Sequence, residues 1–305
     1  MRITTARKAL TLAAGLLAAA AASGAAGAAQ HGPWSAAQPV ATVNSPAAEG
    51  CPIESPDGTQ LFIMSTREAP GDQDIWVASR SDTSSAFGTP TKLPAPVNSD
   101  ANDFCPTPLR GKGLLFVSNR GGTDVYGTAA CGAGDIYFTR LSPATGRWSP
   151  PRNLGCVADG GPNGPGTEFG PSLVETAAGT HLYFSSGGDM GSNTQDVYVS
   201  ARRADGSFGP PAKVNELSTP FDDAMPNIRK DGLEMVLTSN RPGVTSHGAF
   251  DIWSSSRASV TDPWGPPVNL GPAVNTAAAE TRPSLSWRAD RLYFGRSGEI
   301  FVSTR

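Results

Sequence analysis

Apolar positions along this chain come in short runs separated by turns, and one run recurs five times. It reads Leu61-Phe62-Ile63-Met64-Ser65, Leu114-Leu115-Phe116-Val117-Ser118, Leu182-Tyr183-Phe184-Ser185-Ser186, Met235-Val236-Leu237-Thr238-Ser239 and Leu292-Tyr293-Phe294-Gly295. Each run passes through a polar, glycine-containing loop into another strand that opens on an acid: Asp74-Ile75-Trp76, Asp135-Ile136-Tyr137, Asp196-Val197-Tyr198, Asp251-Ile252-Trp253 and Glu299-Ile300-Phe301. Those strands end at Arg80, Arg140, Arg202, Arg257 and Arg305. No stretch sustains a 3.6-residue apolar period, so the pattern predicts an all-β chain.

A third element opens on an aromatic residue with proline close behind: Phe87 with Pro90, Trp148 with Pro150, Phe208 with Pro210, Trp264 with Pro266. Proline lacks the N–H that a central strand must donate, which assigns this element to the outer edge of each sheet. An acid then precedes a proline by three residues in all five repeats: Glu49/Pro52, Asp103/Pro106, Glu168/Pro171, Asp223/Pro226 and Glu280/Pro283. The final repeat reaches Arg305 without an outer strand, and Trp34 to Asn44 matches Trp264 to Asn275 nearly step for step. A chain that opens with the strand its last repeat lacks closes into a ring. The expectation is a five-bladed β-propeller of four-stranded antiparallel blades, with the last blade completed by an N-terminal outer strand.

The repeat resembles the WD-like, TolB-type propeller repeat. The likeness rests on Ser55-Pro56-Asp57-Gly58, Ser65-Thr66-Arg67 and Asp74-Ile75-Trp76 in the first unit. The fourth unit carries Lys230-Asp231-Gly232, Ser239-Asn240-Arg241 and Asp251-Ile252-Trp253. It implies a propeller across residues 32–305. Five blades in place of six, and no preceding α/β domain, keep TolB's partner binding from being carried over.

Composition narrows the picture. With 24 basic and 27 acidic side chains and a net charge of −3, the chain has no nucleic-acid footprint. Arg2, Arg7 and Lys8 before the apolar stretch Ala9 to Ala22, with Ala26-Gly27-Ala28 after it, read as an export signal over residues 1–29. Residues 30–305 then form one propeller domain, secreted or periplasmic, with no membrane span and expected as a monomer. In that oxidising setting the four cysteines are expected as bridges. Cys131 and Cys156 share one repeat, while Cys51 and Cys105 occupy matching points of neighbouring repeats. Without a C-x-x-C pair, no metal site or cofactor is predicted.

Alternating strand direction brings the acid before each first strand, the Ser-x-Arg after each second and the acid opening each third to one rim. Paired carboxylates there could serve a glycosidase. Catalytic carboxylates need unequal environments, however, and these recur in every blade. Glu49, Asp103, Glu168, Asp223 and Glu280 are therefore expected to be structural, bonded to arginine and backbone N–H groups. Ligand contacts are expected instead from residues that break the repeat: Asp124, Tyr126, Asp159, Asn163, Asp189, Asn193, Asp222 and His247. The functional expectation is a non-enzymatic recognition scaffold that binds a protein or an envelope glycan through those loops, with a carbohydrate-active hydrolase as the alternative.

Overall fold

The computed structural model describes residues 32–187, 190, 194–243 and 247–305. The proposed signal peptide lies outside them, as do Asp189 and Asn193. After β1 (Gln38–Pro39) the chain lays down four blades in order. The first is β2–β5 (Glu49–Glu54, Gln60–Ser65, Asp74–Ser79, Thr91–Lys92) and the second β6–β9 (Asp103–Pro108, Gly113–Ser118, Asp135–Arg140, Arg152–Asn153). The third is β10–β13 (Glu168–Thr176, Gly179–Ser186, Asp196–Ala201, Ala212–Lys213) and the fourth β14–β17 (Asp223–Ile228, Glu234–Ser239, Asp251–Ser256, Val268–Asn269). The fifth blade joins β18 (Glu280–Leu285), β19 (Arg291–Arg296) and β20 (Glu299–Thr304) to β1, with Gln38 opposite Val302 and Pro39 opposite Phe301. The N-terminal strand closes the ring. All blade pairings are antiparallel, and short 3₁₀ turns at Arg110–Lys112 and Val157–Asp159 are the only helical pieces among the described residues.

Outer strands β1, β5, β9, β13 and β17 pair over two residues each. The prolines around them cannot donate, so the ladder ends almost where it begins, and the exposed edge is poor at recruiting another strand. The core lies between blades. Phe62, Ile75 and Leu93 of the first blade meet Leu114, Phe116 and Tyr137 of the second. Leu61, Ile63 and Trp76 close the ring against Tyr293 and Ile300 of the fifth. Each such side chain, fully buried, contributes about 1.5–3 kcal/mol. The recurring aromatic positions Trp76, Tyr137, Tyr198 and Trp253 are buried and Phe301 is half-buried, all within these seams.

Every inner strand carries a bulge at the same point, where register shifts beside the proline. The proline's missing N–H therefore falls where the ladder is already interrupted. The bulged residues Cys51, Cys105, Gly170, Met225 and Arg282 all have left-handed φ, between 47° and 58°, a conformation costing a side-chain-bearing residue about 1–2 kcal/mol. Cys51 and Cys105 are bridged to each other, and Cys131 to Cys156. Two disulfides mark the chain as extracytoplasmic. No helix among the described residues is long and apolar enough to cross a membrane.

Candidate functional site

On the rim where the inner strands begin, all five acids are buried. Four receive a charge-assisted bond from an arginine, which follows the second strand in three blades and is the last residue of that strand, Arg296, in the fifth. Arg67 reaches Glu49 at 3.0 Å, Arg120 reaches Asp103 at 2.6 Å, Arg296 reaches Glu280 at 2.6 Å, and Arg241 pairs with Asp223. Each of these guanidinium groups also donates to a carbonyl of the preceding loop (Val43, Val97, Leu217 or Val274). Each stacks 4.4–5.4 Å from the ring of the seam aromatic.

The fifth blade has Gly295-Arg296 in place of the expected Ser-x-Arg, and the third lacks the arginine altogether. The third blade's sequence there is Ser186-Gly187-Gly188, and among the described residues Glu168 has no arginine partner. Gly164 N–H and Ser186 Oγ donate to Oε1 at 2.9 and 3.1 Å, while Oε2 is buried with no partner among the described residues. Burial, aided by the nearby charge of Asp135, pushes this carboxyl up to about 8.

The described loop residues among those expected to bind ligand lie on the same rim, largely engaged in holding it. Asp124 Oδ1 accepts from the N–H groups of Tyr126 and Thr128, each at 2.9 Å, and Oδ2 from that of Asn153 at 2.9 Å. Tyr126 is exposed beneath Arg152, 5.7 Å away. Asp159 is exposed in the 3₁₀ turn. Asn163 is a repeat element and does not diverge as expected: its amide clamps Ile136 N and O at 3.0 and 3.2 Å. Asn98 and Asn275 do the same to Ile75 and Ile252, and Asn44 to Ile300. Asp222 accepts from Gln195 N–H and Asn240 Nδ2. His247 lends its backbone N–H to Asp251 at 2.8 Å. No group of three or more His, Cys, Asp or Glu among the described residues is arranged to hold a metal.

The axial channel narrows at the bulges to about 30 Å³, lined by the five bulge prolines, the Cys51–Cys105 bridge, Met225 and Arg282. Burial brings the Arg282 guanidinium down to about 10. Below this neck, on the face opposite the acid rim, the channel opens into a funnel of about 350 Å³. Seven residues after each inner-strand acid the chain places Pro56, Arg110, Glu175, Lys230 and Trp287, five different residues at one repeat position. The last four line the funnel. Trp287 is flanked by Arg110 at 4.7 Å and Lys230 at 5.5 Å, so its ring is held by two cations.

Glu54 also lines the funnel, where the other blades have Pro108, Leu173, Ile228 and Leu285. Tyr293 Oη donates to its Oε2 at 2.7 Å and Arg80 Nη2 at 2.8 Å; Oε1 has no protein partner among the described residues. Burial raises the Glu54 carboxyl above its ordinary range, outweighing the lowering by Tyr293 and Arg80. Glu175 faces the funnel exposed and without an ion-pair partner among the described residues, whereas Asp231 is held by Arg229 at 2.8 Å.

No family model matches this chain, and no curated protein does. Solved structures do. An α-L-arabinofuranosidase from Lactobacillus brevis matches at TM-score 0.55 and 11% identity, over 88% of this chain and 94% of that one. A family-43 endo-arabinanase from Bacillus licheniformis matches at 0.51 and 12%, over 86% and 95%. A TolB structure from Agrobacterium tumefaciens matches at 0.47 and 16%, over 87% and 79%. At these identities the likeness to the arabinofuranosidase and the endo-arabinanase is one of fold. It corrects the expected non-enzymatic recognition scaffold, because seven of the structures matched above a TM-score of 0.5 are described as glycoside hydrolases, arabinanases or an arabinofuranosidase.

Proposed function

We propose that this protein is a carbohydrate-active hydrolase whose substrate enters the funnel on the face opposite the acid rim. The observation that carries the reading is one cavity holding an aromatic ring, Trp287, together with Glu54 and Glu175, two carboxyl groups in unlike environments. Unequal carboxyls are what glycoside hydrolysis needs. Glu54, kept protonated to higher pH by burial, gives its proton from Oε1 to the glycosidic oxygen as that bond breaks. Glu175 takes the proton of the water that adds to the anomeric carbon. The apolar face of a sugar ring rests on Trp287. Glycoside hydrolases on the same fold support the reading. The same proposal holds the repeat to be TolB-type and residues 1–29 to be a cleaved signal, with the released chain acting as a monomer.

The test is hydrolysis of a panel of polysaccharides and aryl glycosides by the full chain and by Glu54→Gln. A general acid contributes roughly 10²–10⁴-fold. Glu54→Gln should lose that much kcat, retain KM within a few-fold and still unfold cooperatively, at a temperature lowered by loss of the Arg80 pairing. Absence of turnover across the panel, or full activity in the folded variant, would overturn the assignment.

A further inference from the structure

The funnel continues outward. Leu109, Arg110, Leu173 and Glu175 belong both to its wall and to a groove of about 700 Å³ between the second and third blades. Four arginines line that groove: Arg110, Arg140, Arg152 and Arg202. All four are exposed, and none is ion-paired with a carboxylate among the described residues. Their contacts are with rings and one carbonyl. Arg110 lies 4.7 Å from Trp287, Arg140 6.0 Å from Phe138 and Arg152 5.7 Å from Tyr126, while Arg202 Nε donates to Gly206 O at 3.2 Å. Several arginines elsewhere that brace the fold are ion-paired, as Arg67 is with Glu49 and Arg305 with Glu234.

We infer that this groove binds glycans bearing carboxylate groups, chains containing uronic acid residues, and feeds them to the funnel; the inference rests on the hydrolase reading for the feeding step alone. Planar guanidinium forks match carboxylates bidentately. Between them the floor is apolar, with Phe138, Leu154 and Leu173 packed over the core and Phe208 buried, a surface suited to the C–H faces of sugar rings. Glu175 and Asp205 on the same groove accept sugar hydroxyls and repel a densely charged phosphate backbone. The volume lies within the range of ordinary ligand sites.

The experiment is calorimetric titration of the full chain with galacturonic acid oligomers, neutral arabinose oligomers of equal length, a dextran sulfate fragment free of carboxylates and a single-stranded oligonucleotide. Products are analysed in the same samples. The uronate oligomer should bind at least tenfold more tightly than the neutral one and weaken as salt rises. Arg140→Gln/Arg202→Gln should lose at least tenfold in uronate affinity while unfolding at an unchanged temperature. Equal affinity for acidic and neutral oligomers, undiminished binding by the double variant, or tighter binding of dextran sulfate or the oligonucleotide would refute it. Uronate binding without cleavage upholds the groove and removes the hydrolase; cleavage of neutral glycans without uronate binding does the reverse.

Discussion

Replacing Glu168 by Gln should make the protein more stable, and only above a defined pH. In the folded chain this carboxyl titrates near 8, against 4.5 for the free group. The native state therefore holds a proton that the unfolded chain has released. Stability accordingly falls as pH rises from about 4.5 to about 8 and is level beyond. At 1.36 kcal/mol per pH unit the full displacement amounts to roughly 5 kcal/mol. Gln keeps the shape and carries no charge to bury. Urea unfolding of both proteins at pH 5 and pH 9 gives the comparison, with shared titrating groups cancelling in the difference. At pH 5 the two should agree within about 1 kcal/mol. At pH 9 the variant should lead by several, on the order of 10 °C in Tm. Since Asp135 helps to raise Glu168, part of the gain is relief of that repulsion. Parallel stability curves for the two proteins across this range would refute the reasoning.

Removing residues 32–48 takes away β1 and the ring of Trp34, which lies 4.3 Å from Arg305. The deletion should lower thermal stability by far more than loss of an exposed terminal segment does, and an unchanged melting curve would contradict strand closure. Cys51 and Cys105 are 54 residues apart, so opening that bridge by Cys51→Ala/Cys105→Ala should cost about 4 kcal/mol in chemical denaturation under oxidising conditions; equal midpoints for wild type and variant would show that the neck holds without it.

The blade count and the ring closure could be read directly from the chain, because each follows from residues at fixed spacing, whereas four cysteines allow three pairings and only the structure selects between them. The acid and Ser-x-Arg motif led attention to the rim, yet its regularity hid Gly188, the position where the third blade lacks its arginine. Asn163 looked divergent because its loop is long, although its five-residue offset from Glu168 recurs in Asn44, Asn98 and Asn275. Trp287, Arg110, Glu175 and Lys230 stand at one offset but share no chemistry, so no motif joins them. The signal available was disagreement at a fixed repeat position. Which turns meet across the axis depends on tertiary packing, as does the groove, whose arginines come from strands and turns of two blades.

The neck has a consequence for traffic through the molecule. At about 30 Å³, it has room for about one water molecule. The two faces of the disc are therefore separate compartments: whatever occupies the funnel must arrive and depart through the same mouth. A cleaved chain would have to back out past Trp287 or slide along the arginines before another could follow. The tube at the heart of this ring is a plug, and it makes the enzyme proposed here a one-sided machine.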